Sequence, residues 1–396
     1  MEASTAVLQD PMAVFAYLIG VLGVVFWLSG LPRLQKLFEI TPPVIYAYFL
    51  PTISTTLGIT PAASPAYAWM VRFLLPVALL LLMITVDVKT IVRLGPMALA
   101  MVVAGTVGIV VGAPVAYLVF GHYLPHDAWK GLAALSGSWI GGTANMVAVA
   151  QSVGTPSSIF GPIIVVDTVV GYGWMGVLLV LSGWQDRFDR RIGARREALE
   201  ETNRRLEAMD QEQHPLDLRR LAMILAIAFG GAVLAVRLGD RLPDLGDPTI
   251  ISHTTWAVLL VVTGGLALSF TPLRRLEHYG ASRLGYAALY LLLTAIGAQA
   301  DLRATLSAPL FLAAGALWIA VHVVILLIVA RLLRAPLFFF ATGSMANIGG
   351  AASAPIVAGV YHPALAPVGL LMAVAGYILG IYAALGCAAI LGAIAT

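Results

Sequence analysis

Two stretches, Ser136-Gly-Ser-Trp-Ile-Gly-Gly-Thr-Ala-Asn145 and Thr342-Gly-Ser-Met-Ala-Asn-Ile-Gly-Gly350, decide how the chain is read. Each packs glycines, hydroxyls and an amide into an otherwise apolar run. A glycine in a helix interior costs about 1 kcal/mol relative to alanine, so paired glycines predict a break that exposes main-chain amides and carbonyls. In hydrocarbon those groups are orphaned unless protein or a water-filled cavity satisfies them, which makes a broken segment a pointer to a binding site. The competing reading is that the small residues serve only close helix packing.

The surroundings establish that lipid is the relevant solvent. The chain has 396 residues, of which 60% are hydrophobic and 11% charged, and its mean hydropathy is +0.92. That lies far outside the soluble globular range. Apolar windows of spanning length fall at about 12–30, 40–58, 69–86, 96–120, 131–151 and 158–182, then at 219–238, 251–271, 285–300, 308–330, 337–359 and 364–390. The expected fold is an all-α polytopic membrane protein of about ten transmembrane helices plus two glycine-rich segments, broken or re-entrant. The expected organisation is a first membrane repeat at 1–182, a charged cytoplasmic linker at 183–218 and a second repeat at 219–396. In the linker, acids and bases stand at helical spacing, as in Arg196 with Glu200 and Glu201 with Arg205. The acidic start (Glu2, Asp10) predicts a retained first helix, not a removed signal peptide. Prolines 42, 43 and 51 predict a kinked second segment.

Internal matches predict that the halves are related. Pro162 answers Pro367, and Gly171-Tyr172 answers Gly376-Tyr377 at the same offset; Ser136-Gly137-Ser138 answers Thr342-Gly343-Ser344 one residue out of step. If every segment crosses, the repeats are parallel. If the fifth segment of each half dips in and returns, they are inverted. The inverted version gathers Arg33, Lys36, Lys89, Arg93, the linker, Arg274, Arg275, Arg283, Arg331 and Arg334 on one side, with both termini on the other, and the positive-inside rule prefers it.

Asp167 stands about ten residues into the apolar run 158–182, with no basic residue in that segment. A carboxylate at mid-helix costs about 2.5–3.5 kcal/mol on insertion scales, so such residues face cavities and bind protons or cations, unless they serve as hydrogen-bonded clamps. Its repeat counterpart is Met372. The substrate-binding set expected from the glycine segments is Ser136, Ser138, Gly141, Gly142, Thr143, Asn145, Thr342, Ser344, Asn347, Gly349 and Gly350, with Asp167 and Thr168 binding the coupling ion. His322 is a weaker candidate for a proton relay. Asp87 and Asp301, at helix ends beside Lys89 and Arg303, read as interfacial charges or caps.

Other chemistries find little footing. No Gly-x-x-x-x-Gly-Lys-Ser/Thr loop, His-Glu-x-x-His or Cys-x-x-Cys occurs, and the single cysteine, Cys387, builds neither a disulfide framework nor a thiolate site. No cofactor, resident metal or nucleic-acid partner is expected, and the chain does not read as an enzyme. The function expected is ion-coupled (Na+ or H+) secondary transport of a small anionic or zwitterionic organic solute by a homodimer in a bacterial inner membrane. A channel or facilitator, or an intramembrane enzyme, remains the alternative.

The whole chain resembles the bacterial membrane family catalogued as domain of unknown function 819, through Ser136–Asn145, the Asp167-Thr168 helix and Gly343–Gly350. More distantly, Gly141-Gly-Thr-Ala-Asn145 is similar to the glycine-threonine-alanine stretch of bile-acid/sodium symporters, and the paired glycine segments resemble those of sodium/glutamate symporters. That resemblance implies two inverted repeats and a core domain moving against a dimerisation or panel domain. Met372 departs from the symporter pattern, in which both halves carry ion-binding acids.

Overall fold

Proline and short polar side chains mark where the helices begin. Asp10 and Ser64 cap helices that open on Pro11 and Pro65, accepting from the amides of Ala13 and Ala66, and Pro96 opens a third after Gly95. The computed structural model describes residues 6–40, 43–195, 215–245, 251–299, 308–362 and 365–395. Asp301, Arg303 and the linker pairs Arg196/Glu200 and Glu201/Arg205 lie outside them.

In the first half the helices are α1 (Pro11–Ser29), α2 (Gln35–Ile40), α3 (Pro43–Thr56), α4 (Pro65–Ile84), α5 (Val88–Arg93), α6 (Pro96–Phe120), α7 (Ala128–Ser152), α8 (Ser157–Leu181) and α9 (Gln185–Ile192). The second half has α10 (Leu218–Gly239), α11 (His253–Leu268), α12 (Ala281–Ala298), α13 (Ala308–Leu333), α14 (Leu337–Ile348), α15 (Gly350–Tyr361) and α16 (Ala366–Ala395). Among the described residues nine helices are long and apolar enough to span a membrane, or ten if α11 and the 3-10 segment Pro272–Tyr279, bent by 97°, count as one. The protein is therefore an all-helical, multi-pass integral membrane protein. The 40–58 window yields only the 14-residue α3, with Pro51 inside it.

The helices sort into two groups. In one, α4 packs chiefly on α12, α11 and α10, with α3 also on α12 and α1 on α3; in the other, α16 packs on α7, α15 and α6, and α13 on α6 and α8. Each group draws helices from both halves of the chain. Within the second group, close approach comes from small residues, as is usual where no hydrophobic drive separates helix from lipid. Gly105, Gly108 and Gly112 line one face of α6 and receive His322 and Trp318 of α13, and Trp318 Nε1 donates to the Ile109 carbonyl at 2.8 Å.

Ion pairs show which helix ends lie together. Arg72, early in α4, meets Asp240 at the end of α10 at 2.6 Å. Asp87, just past the end of α4, meets Arg274, just past α11, at 2.6 Å. Asp87 thus acts as a surface charge, as its position at a helix end suggested.

The linker is integrated at its start. Asp189 of α9 is buried and accepts from the Leu337 amide at 2.9 Å, capping α14, while the Arg195 amide donates to the Arg334 carbonyl at 2.9 Å. The charged connection therefore begins as a support for the second glycine segment.

Candidate functional site

Both glycine stretches are broken. In α7 the break falls at Gly141 (φ −135°, ψ 16°) and Gly142 (φ 77°, ψ −179°). A Cβ on Gly137 would stand 2.8 Å from the Asn145 carbonyl oxygen, although eight residues of straight helix would part them by about 12 Å. The chain therefore folds back at the glycine pair into a hairpin. In the second half, α14 ends at Ile348, Gly349 (φ −102°) separates it from α15, and α15 opens on Gly350 (φ 60°).

The two tips converge on α16. Gly376 lies against the carbonyl of Ile140, the last helical residue before the first break, and Gly380 lies against Gly141. Reciprocally, Gly171 of α8 faces Ile348, the last residue before the second break, whose Cγ2 is 3.6 Å from where a Cβ on Gly171 would be. Each Gly-Tyr pair found by internal matching thus sits against the opposite half's break. Tyr377 goes further: its ring is 3.3 Å from where a Cβ on Gly142 would be, and its hydroxyl accepts from the Ala351 amide at 3.2 Å. Tyr286, on α12 of the other helix group, donates to the same hydroxyl at 3.2 Å. Gly142, Thr143 and Ala144 are partly exposed while Gly141 and Asn145 on either side are buried, so the first tip opens onto accessible space.

Asp167 is partly exposed between buried Val166 and Thr168, and accepts from Ser138 Oγ, one turn before the first break, at 3.0 Å. The structure thus brings Asp167 and Ser138 together. Thr168 does not join them, since its hydroxyl returns to the Ile164 carbonyl at 2.9 Å. Ser136 likewise bonds the Ala133 carbonyl at 2.6 Å. Thr342 Oγ1 is buried with no partner among the described residues.

The remaining polar residues of the second segment are held by protein. Asn347 Nδ2 donates to the carbonyls of Val102 (3.1 Å) and Gly343 (2.9 Å), and its Oδ1 accepts from Thr106 at 2.9 Å. Both donors and one acceptor site of its amide are used, and two of the three bonds clasp α14 to α6. Ser344 accepts from Trp174 Nε1 at 2.8 Å and stands 2.9 Å from His322 Nε2, while His322 Nδ1 is 3.0 Å from the Gly105 carbonyl. A carbonyl can only accept, so Nδ1 carries a proton, and in the neutral ring Nε2 then accepts from Ser344. The chain Trp174–Ser344–His322–Gly105 is closed with a neutral imidazole. Asn347→Ala should therefore lower thermal stability by about 1–3 kcal/mol through the orphaned Thr106 hydroxyl and the lost tie to the Val102 carbonyl, read as a fall in melting temperature in detergent. An unchanged melting temperature would remove the clasp.

Asn145 plays a different part. Its Nδ2 donates to the Gly141 carbonyl at 3.1 Å across the break, and reaches the Tyr377 carbonyl at 3.5 Å. It closes the turn of the first hairpin and ties it to α16. Sequence reasoning passed over Tyr377, Tyr286 and Trp174 as functional residues; the Gly-Tyr repeats at 171–172 and 376–377 were the available signal.

Among the described residues, cavities lie between the helix groups. One of about 610 Å³ is lined by Arg72, Gln151, Ser157, Asp240, His253 and Gln299, among others. Another, an apolar slot of about 450 Å³, runs between α3 and α8, past Ile45, Phe49, Ile164, Thr168 and Tyr172. The first opens where α7 and α10 end and α4 and α11 begin. No group of three or more His, Cys, Asp or Glu side chains suited to a metal ion occurs among the described residues.

With this geometry established, known proteins add a frame. The family model described as "Protein of unknown function (DUF819)" matches residues 16–394. The uncharacterized membrane protein YjcL of Bacillus subtilis (strain 168) is 24% identical over 343 residues, covering 83% of this chain and 85% of that protein.

Proposed function

The chain belongs to the DUF819 family, and from that premise and the site geometry we propose that it is a secondary active transporter. It moves a small anionic or zwitterionic organic solute across a bacterial inner membrane, coupled to Na+ or H+, and it works as a homodimer and not as an enzyme. The observation that carries this reading is the meeting of two glycine-broken helix tips at Tyr377, both of them partly exposed, with Ser138–Asp167 one turn from the first. The half-helices that leave the breaks direct amides and a positive dipole end toward an anionic group, and the half-helices that enter bring carbonyl ends to a cation. Asp167 takes the coupling ion.

The inverted repeat belongs to this proposal. Were the first glycine segment to cross fully, Arg72 and Asp240 would stand at opposite membrane faces, as would Asp87 and Arg274. With the segment folded back, each pair shares a face, and both pairs are joined at 2.6 Å. The reciprocal packing of Gly171 on Ile348 and Gly376 on Ile140 supports the same relation. Alternating access then consists of movement between the two helix groups, with the 610 Å³ cavity as the entrance on one side.

The test is a thermal-shift screen of the purified full-length protein against anionic and zwitterionic metabolites, with and without sodium, across pH. A ligand of the folded state raises apparent stability by mass action, so a transported solute gives a shift that depends on sodium or pH. Reconstituted protein that gives ohmic, unsaturable current would make it a channel. Turnover of a lipid or peptide would make it an enzyme.

A further inference from the structure

Tyr377 touches three parts of the structure at once. Its ring covers Gly142 at the first tip, its hydroxyl caps the Ala351 amide at the second, and the same hydroxyl receives Tyr286 from the other helix group. Tyr286 belongs to α12, which packs on α3 and α4, whereas Tyr377 belongs to α16, which packs on α7 and α15. The bond between them therefore crosses the boundary along which the groups must move. Further along α16, Tyr382 Oη meets Thr263 Oγ1 of α11 at 2.8 Å and crosses the same boundary. At the cavity end the crossing bonds are longer: Ser252 and Thr255 hydroxyls reach the Ser152 carbonyl at 3.3 and 3.4 Å.

We infer that the Tyr286–Tyr377 hydroxyl pair is a latch that holds the two helix groups in the arrangement seen here, with Tyr377 as the positioning residue for both glycine tips. The inference rests on the proposed transport function for its purpose, while the latch itself concerns only the relative position of the groups. A hydroxyl pair suits the role. Each partner is partly exposed, and separation breaks a single side-chain bond while the main-chain bonds of both helices stay intact. Tyr377 also transmits the release, because its hydroxyl is shared between the latch and the Ala351 cap: tightening one bond is felt by the other. Tyr290, one turn along α12, also lies near Tyr172 and Tyr377 of the other group, but among the described residues no hydrogen bond ties its hydroxyl to them, and its ring packs edge-on against Phe26 at 5.1 Å.

Thiol labelling in the full-length protein tests the latch, since the one native cysteine, Cys387, is fully buried. Two reporters are used: Gln151→Cys, in the cavity between the groups, and Ala351→Cys, beneath the Tyr377 hydroxyl. Each is labelled with a membrane-impermeant maleimide in the wild-type, Tyr286→Phe, Tyr377→Phe and Tyr290→Phe backgrounds. Tyr286→Phe leaves the ring and hydroxyl of Tyr377 over Ala351, so local cover is unchanged. It should nonetheless raise labelling at Ala351→Cys about three- to tenfold, the population shift that follows loss of one such bond, while labelling at Gln151→Cys stays at or below the starting rate. Tyr377→Phe should do the same or more, and Tyr290→Phe should change neither. A rate at Ala351→Cys that does not move, or an equal rise at both reporters, overturns the latch: the first means no boundary opened, the second mere loosening. Labelling needs no solute, so a working latch in a protein that moves nothing would sink the transport reading alone.

Discussion

Gly142→Ala should lower stability and transport together. Gly142 has φ 77° and ψ −179°, a region that is essentially closed to residues with a side chain and carries a strain of order 1–3 kcal/mol. The added Cβ would also stand 3.3 Å from the Tyr377 ring, so the strain cannot be relieved by a small rotation toward α16. A misplacement worth about 1.4 kcal/mol is tenfold in an equilibrium constant, and a turn held to such narrow geometry transmits it to both tips through Tyr377. The expected result is a melting temperature several degrees below wild type together with at least a tenfold loss of solute uptake in proteoliposomes. Gly154→Ala separates the two contributions. Gly154 also has a positive φ, 62°, but nothing stands within 4 Å of its would-be Cβ; it should lose some stability and keep uptake. Wild-type melting and uptake in Gly142→Ala would mean that the sharp turn does not shape the site.

Much of this architecture was legible in the sequence because membrane insertion imposes a length and a composition on every crossing. The window 96–120 is α6 (Pro96–Phe120) to the residue, and 158–182 is α8 (Ser157–Leu181) within one. The breaks were legible because glycine pairs stand there among hydroxyls and an amide, and both fall at the pairs, 141–142 and 349–350; a glycine pair alone does not suffice, since Gly230-Gly231 and Gly264-Gly265 lie inside the unbroken α10 and α11. The roles of the polar residues were not legible. Asn145 and Asn347 look equivalent in sequence, and both donate back to a glycine carbonyl four residues earlier. Only one spans a break, however, and what the other faces is decided by Thr106 and Val102, more than 200 residues away in the chain. Tyr286 and Tyr377 were invisible as a pair for the same reason. Tyrosines are unremarkable at the ends of membrane helices, and only three-dimensional packing brings these two hydroxyls together across the group boundary.

Asp167→Asn should leave the protein folded and abolish its capacity to concentrate solute. Asparagine has nearly the volume of aspartate, and its Oδ1 can still accept from Ser138, whose hydroxyl stands 3.0 Å from the carboxylate in α8. The structural cost is thus about 1 kcal/mol, the difference between a charge-assisted and a neutral hydrogen bond. The functional cost is of another kind. An amide carries no charge and neither binds a proton nor neutralises a cation, so the free energy of the ion gradient no longer reaches the solute. Uptake should fall to the level set by the solute's own gradient, and the sodium or pH dependence of ligand-induced stabilisation should vanish, while downhill exchange continues. Ser138→Ala supplies the contrast, since it removes the same hydrogen bond and keeps the charge. If Asp167 served only to clamp the hairpin to α8, the two variants would lose similar stability and neither would lose coupling. If it carries the ion, Ser138→Ala keeps accumulation at reduced efficiency and Asp167→Asn has none. A folded Asp167→Asn protein that still builds a solute gradient with the wild-type ion dependence would refute the coupling role, and the driving ion would then have to bind elsewhere on the hairpin tips.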